Sequence, residues 1–97
     1  MFPIKKIKNM TNWYNLPGDL NLVPNTEGVY LLADDHHDTV YAGRADDLNK
    51  RLSEHPDPQN PCLRKKNIQY FSFEENPNSE ARETELINEH DPECNRA

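Results

Sequence analysis

The side chains best suited to chemistry in this sequence are two tyrosines, a run of cations and a few carboxylates. Tyr30 and Tyr41 stand in mirrored triplets, Gly28-Val29-Tyr30 and Tyr41-Ala42-Gly43, about the polar stretch Asp34-Asp35-His36-His37-Asp38. Arg44 follows directly on the second triplet. Arg44, Leu48, Arg51 and His55 then recur at helical spacing and form one stripe on a helix that begins near Arg44. An isolated arginine on such a helix is by default a solvated charge. Two arginines and a histidine leading away from paired phenols point instead to phosphate, whose oxygens match the planar fork of guanidinium donors. Further along, Glu83 lies three and four residues before Leu86 and Ile87, at the margin of a buried helix face. A carboxylate there could reach into a cleft and hold a hard divalent cation. Asp and His at 34–38 are also metal-ligand types, but adjacent residues on a tight turn point in different directions, so this stretch reads as a polar hairpin tip.

These residues need elements to position them. The arms "VYLLA" and "TVYA" are β-branched, aromatic or aliphatic, which predicts a β-hairpin with strands at 28–33 and 39–43. A two-residue loop at Asp35-His36, or a four-residue loop from Asp34 to His37, places Tyr30 opposite Tyr41 and Gly28 opposite Gly43. All four then share one face, with two phenols side by side and nothing bulky beside them, as a ligand surface would have. Val29, Leu31, Val40 and Ala42 take the other face. "RADDLNKRLSEH" reads as a helix with Asp46 or Asp47 in its first turn, Leu48 and Leu52 on one face, and Pro56 as its stop. "CLRKKNI" suits a short helix and residues 69–74 a third strand. A last helix over 79–90 has several N-cap choices among Asn76-Pro77-Asn78-Ser79 and ends at Asp91-Pro92. In the lead-in, "TNWYNL" suits a helical turn and Pro17-Gly18 and Pro24-Asn25 suit turns. The order β-β-α-(α)-β-α predicts an α+β domain over 27–97, a three-stranded antiparallel sheet flanked by helices, with residues 1–26 as a lead-in packed on it.

Composition bounds what such a domain can do. At 97 residues, 34% hydrophobic, the chain is one domain with a small core. No apolar run approaches membrane-spanning length, and the lysines near the N-terminus lack the apolar stretch of a signal peptide, so a soluble cytoplasmic protein is the expectation. Cys62 and Cys94 stand far apart without a C-x-x-C, which suggests neither a zinc site nor a disulfide framework. The net charge of -6 argues against nucleic acid as a partner. Its distribution weakens that objection: residues 44–66 carry six Lys/Arg against four Asp/Glu and are net basic, directly after the tyrosine hairpin, while residues 67–97 carry two against eight.

With these residues laid out, the chain resembles the GIY-YIG nuclease superfamily over about residues 26–95. "GVY" at 28–30 stands where the family has GIY, and "YAG" at 41–43 where it has YIG. "RADDLNKRL" resembles the family's basic residue followed by a leucine and a helix arginine, which falls on Arg51. "ETELINEHDPECN" resembles E-x-x-L-I followed by P-x-x-N and places the metal-binding glutamate at Glu83 and the terminal asparagine at Asn95. The resemblance implies phosphodiester hydrolysis with one divalent ion, Mg²⁺ or Mn²⁺, yielding a 5′-phosphate and a 3′-hydroxyl. It makes Tyr41 the group that activates the water and Tyr30 its support, or the holder of the attacked phosphate. Arg51 becomes the phosphate clamp, Glu83 the metal ligand and Asn95 the residue that fixes the end of the cleft. Gly43, Arg44 and His55 are candidate substrate-binding positions. Arg44 stands where many relatives carry lysine, and it can donate and attract but cannot lose its proton. His55 resembles a histidine found in some branches.

The implied partner is nucleic acid, DNA in preference to RNA. A patch this small clamps few phosphates, so weak, salt-sensitive binding is expected, either of a single-stranded, flapped or distorted substrate or of one delivered by a partner protein or a second protomer. The alternative is a GIY-YIG-fold module that binds nucleic acid or protein without cutting. The acidic net charge favours the module; both tyrosines together with Arg51, Glu83 and Asn95 favour the enzyme.

Overall fold

The computed structural model describes residues 10–54 and 60–96. His55 lies outside the described residues. Four strands form one sheet: β1 (Tyr14–Asn15), β2 (Gly28–Asp34), β3 (Thr39–Ala45) and β4 (Ile68–Glu75), in the order β1-β4-β2-β3. All neighbouring pairs are antiparallel. The helices are α1 (Leu48–Ser53), α2 (Pro61–Arg64) and α3 (Ser79–His90), with 3-10 turns at Leu20–Leu22 and Glu93–Asn95. The class is therefore the expected α+β sheet flanked by helices, with a fourth strand added. That strand comes from the lead-in, where "TNWYNL" is extended rather than helical. Tyr14 pairs with Phe71 and packs edge-on against its ring at 5.7 Å. Thr11 N donates to Phe73 O at 3.0 Å and Leu16 N to Gln69 O at 2.9 Å, so this segment satisfies the outer edge of β4.

The hairpin register differs from the expected one in an instructive way. Tyr30 pairs with Gly43, Leu32 with Tyr41 and Gly28 with Ala45. The cause is local. One Asp34 carboxylate oxygen accepts from His36 N at 2.9 Å and Asp38 N at 3.0 Å, and His37 adopts a left-handed φ of 64°. The loop is thus 35–38 and moves the Ala33–Thr39 pair by one from the expected register, while every pair from Leu32 back to Gly28 moves by two. A shift of two leaves facing unchanged, so Tyr30, Tyr41, Gly28 and Gly43 still share a face. Between Leu32 and Ala33 the register slips, leaving Val40 as an extra residue that joins the core on the tyrosine side instead of the Val29 side.

Both sheet faces are covered. On the tyrosine side Tyr30, Leu32, Leu48, Leu52, Leu63 and Phe71 form the main core, all essentially without solvent exposure. On the other side Val29, Leu31 and Ala42 meet Leu86 of α3, with Met10, Trp13 and Ile87 around them. Helix α1 begins later than the stripe of 44, 48, 51 and 55 requires, because Arg44 and Ala45 belong to β3. Asp47 caps it by accepting from Lys50 N, and Leu48 N donates to Thr26 O at 2.9 Å. Leu48 and Leu52 are buried together as expected, each contributing about 1.5–3 kcal/mol through burial. Helix α3 ends as expected: Asp91 takes a left-handed conformation, its N–H donating to Ile87 O at 2.8 Å, and Pro92 follows.

A further correction concerns the cysteines. Cys62 in α2 and Cys94 in the 3-10 turn Glu93–Asn95 are joined by a disulfide, with Cα atoms 5.4 Å apart. Their separation in sequence gave no hint of this. The sheet and the α2 packing bring them together, a long-range juxtaposition that residue spacing does not encode.

Candidate active site around strand β3

Strand β3 is an outer strand of the sheet, so residues from both faces and from its free edge meet along it. On the inner face the two tyrosine rings lie 6.1 Å apart, tilted by 41°. They are not equivalent. Tyr30 is fully buried in the main core, while Tyr41 is half-buried and packs against that core from its margin. The expected open face with two free-standing phenols is therefore an apolar layer, and of the two phenols it is Tyr41 that reaches solvent. Gly43 makes the pair possible. A Cβ there would stand 2.7 Å from Tyr30 Cζ and Oη and 2.9 Å from Tyr41 Cε2, closer than real side chains approach.

At the strand's free edge Asn95 acts as a one-residue partner. Its Oδ1 accepts from Ala42 N at 2.8 Å and its Nδ2 donates to Ala42 O at 2.8 Å, which satisfies the backbone between Tyr41 and Gly43. Two tethers hold the 3-10 turn carrying Asn95 against the α2 region: the Cys62–Cys94 bond and a Lys66–Glu93 ion pair at 2.8 Å.

Because side chains alternate along a strand, Arg44 points away from the tyrosines, towards α3. Its Nε donates to Ser79 Oγ at 2.8 Å and its Nη2 to Asp46 Oδ1 at 2.7 Å, with Glu27 Oε2 3.6 Å away. The bond to Asp46 holds the guanidinium more firmly charged than usual. Arg44 and Arg51 together line an open concavity of about 420 Å³, with Asp46, Asp47, Lys50 and Glu54 around them. Arg51 Nη1 lies 3.5 Å from Glu54. The two arginines therefore meet in one basin, though from a strand and a helix rather than along one helix stripe.

Glu83, one helical turn beyond Ser79 on α3, is half-buried. Burial raises its carboxyl pKa above the ordinary glutamate value, the nearby Arg44 charge draws it back, and Glu80 raises it further. A carboxylate whose ionised form is penalised by burial gains from a divalent cation. Mg²⁺ characteristically takes one or two carboxylates together with water and substrate phosphate, so Glu83 fits such an ion. Among the described residues, the group of Asp and His with ligand atoms within 4.8 Å is Asp34, Asp35 and His36 at the hairpin tip. Asp34 is already engaged in forming the turn there, as the sequence reading has it.

Sequence reasoning missed Ser79, Glu27 and Asp46. Ser79 was visible as a cap candidate, yet it makes its bonds to other elements and lies fully buried. Glu27 and Asp46 flank the hairpin strands and carried no signal beyond their charge.

Among the described residues no helix is long and apolar enough to cross a membrane. Among curated proteins none matches the chain. A sequence model of the GIY-YIG catalytic domain matches residues 26–96, a span running from the turn before β2 to the end of the C-terminal 3-10 turn and carrying every site residue described above. The chain belongs to the GIY-YIG family.

Proposed function

We propose that the chain is a metal-dependent endonuclease that hydrolyses phosphodiester bonds in nucleic acid, with DNA that is single-stranded or distorted as its substrate. The observation that supports this best is the shared basin of Arg44 and Arg51, with the half-buried Glu83 in the field of Arg44 and Tyr41 emerging from the core on the same strand. In this reading Arg51 and Arg44 bind phosphate oxygens and offset the charge that grows on them during attack. Glu83 holds Mg²⁺ or Mn²⁺, which when bound supplies further charge neutralisation at the phosphate. Tyr41, as its phenolate, accepts at Oη the proton that water gives up as its oxygen adds to phosphorus. The P–O3′ bond breaks and the departing oxygen takes a proton from solvent, leaving a 5′-phosphate and a 3′-hydroxyl. A phenol with pKa about 10 is mostly un-ionised at neutral pH, and surrounding positive charge favours the phenolate that acts as the base. Tyr30, buried, supports Tyr41, and Asn95 holds the β3 edge beneath it.

The functional unit in this proposal is residues 27–97 with 1–26 as its lead-in, working in the cytoplasm, and a partner protein or second protomer is an alternative route for delivering substrate. His55 is kept as a supporting position. A second reading, a binding module that does not cut, is favoured by one feature: Arg44 and Arg51 both already face carboxylates, Asp46 and Glu54.

The test is cleavage of labelled single-stranded, flapped and duplex DNA, and of RNA, with Mg²⁺, Mn²⁺ or EDTA. The nuclease reading expects metal-dependent cutting of single-stranded or flapped DNA that is lost in Glu83→Ala and in Tyr41→Phe. Folded wild-type protein that binds these substrates and cuts none of them would replace it with the binding module.

A further inference from the structure

Arg44 is gripped from behind by a buried hydroxyl. Ser79 is fully excluded from solvent, and its Oγ donates to Glu27 Oε2 at 2.6 Å while accepting from Arg44 Nε at 2.8 Å. A hydroxyl carries a single proton. Giving it to Glu27 leaves only lone pairs to face Arg44, so the order Arg44 to Ser79 to Glu27 is fixed in direction. The three residues come from β3, the start of α3 and the residue before β2, and Glu27 is itself anchored by its carbonyl, which accepts from Asn76 N at 3.0 Å. Helix α3 does not need this hydroxyl. The N-cap position is Asn78, so Ser79 already lies inside the helix, where alanine is a better helix former than serine.

The grip decides which edge of Arg44 is available. Fixing Nε fixes the plane of the guanidinium, and Nη2 donates to Asp46, which lines the basin with Arg44. Glu27 Oε2 is farther from Nη2, at 3.6 Å, whereas Asp46 Oδ1 meets it at 2.7 Å from a side chain that is 89% exposed. So exposed a counter-ion is weakly held and easily exchanged for another oxyanion. We propose that Ser79, braced by Glu27, is a positioning residue that presents the terminal nitrogens of Arg44 to a substrate phosphate, with Asp46 as the counter-ion which that phosphate displaces. The inference rests on the phosphate-binding part of the proposed function and not on catalysis.

The test is therefore a binding cycle in EDTA, where no cutting is required. Fluorescence anisotropy of a short labelled single-stranded DNA is measured for wild type, Ser79→Ala, Arg44→Ala and the double variant, with thermal melting of each. Ser79→Ala is expected to melt close to wild type and to weaken binding about five- to tenfold, the scale of one lost charge-assisted contact. In the Arg44→Ala background the same change should have no effect, because the hydroxyl acts only through that side chain. Ser79→Cys, which fills the space with a poor acceptor, should behave as Ser79→Ala does and serves if the alanine variant is not folded. An equal loss in both backgrounds, or wild-type affinity in Ser79→Ala and Ser79→Cys, overturns the proposal. So does unchanged binding in Arg44→Ala, which removes Arg44 from the substrate altogether. Failure of the protein to cleave would refute the enzyme reading while leaving this cycle intact.

Discussion

The Cys62–Cys94 bond should contribute more to stability than any other single contact outside the core, and its removal should be felt at β3. The bond joins residues 32 apart in sequence. Constraining the unfolded chain across a loop of that length stabilises the fold by about 3.5–4 kcal/mol at 25 °C in the chain-entropy account. For a domain of this size, 1 kcal/mol moves the melting temperature by about 4 °C or more, so the expected drop on reduction is roughly 15 °C. The consequence is local as well as global. Cys94 precedes Asn95, and once the bond is cut the segment is held by the two Asn95 bonds to Ala42 and the half-exposed Lys66–Glu93 pair. Each such hydrogen bond is worth about 1 kcal/mol and the ion pair less. The edge of β3 beside Tyr41 should thus open before the sheet does. The assay is thermal unfolding followed by circular dichroism, with and without a dithiol reductant, beside a Cys62→Ser/Cys94→Ser variant and with thiols counted by alkylation and mass. Hydrogen exchange at Ala42 N reads the local effect. Complete reduction with a drop of no more than a few degrees, and unchanged protection at Ala42, would refute this reasoning.

Two further outcomes are expected. Gly43→Ala places a Cβ against both tyrosine rings and should cost about 1–3 kcal/mol as an overpacked site while displacing Tyr41; melting together with cleavage checks this, and a variant that cuts at the wild-type rate would show that the spacing of the rings does not matter. For Glu83, burial raises the folded-state pKa above the unfolded value, so stability falls as pH rises from the ordinary glutamate range through the raised value. Glu83→Gln, which cannot ionise, should therefore be more stable than wild type at pH 7 in EDTA, and the difference should close below about pH 4, where glutamate is protonated in both states. Urea denaturation at several pH values measures it, and a difference of the opposite sign at pH 7 would discard the burial argument.

What was legible in the sequence was what is local. The two hairpin strands, β4, α3 with its Asp91-Pro92 ending and the shared burial of Leu48 and Leu52 follow from periodicity and from residues that start or stop elements within a few positions. The membership of Arg44 in β3 was not legible. Arginine, alanine and two aspartates in a row carry no strand signal, and only pairing across to Val29 and Gly28 extends β3 that far. The short β1 strand, the disulfide and the Ser79 grip on Arg44 failed for the same reason. Each joins residues far apart in the chain, and single-residue preferences are silent about partners.

The hairpin shows why an error of register need not spoil a reading of the site. A loop one residue longer on one side would have slipped the pairing by one, sending Tyr41 and Gly43 to the opposite face from Tyr30. The turn built on the Asp34 carboxylate does slip the Ala33–Thr39 pair by one, and the extra residue Val40 at the bulge adds a second step, so parity survives. Parity also dictates the division of labour along β3. Tyr41 and Gly43 face the α1 side, Ala42 offers its backbone to Asn95 at the edge, and Arg44 faces α3. A helix beginning at Arg44 would have kept every cation on one side of the sheet. A strand that continues through Ala45 sends Arg44 across to Ser79 and Glu83 while Arg51 arrives from α1, so the basin straddles the end of the strand. In the proposed reading a phosphate bound there is approached from both faces of the sheet. For that reason the rigidity of β3, set by Gly43, Asn95 and the disulfide behind it, governs the geometry as much as the charged residues do.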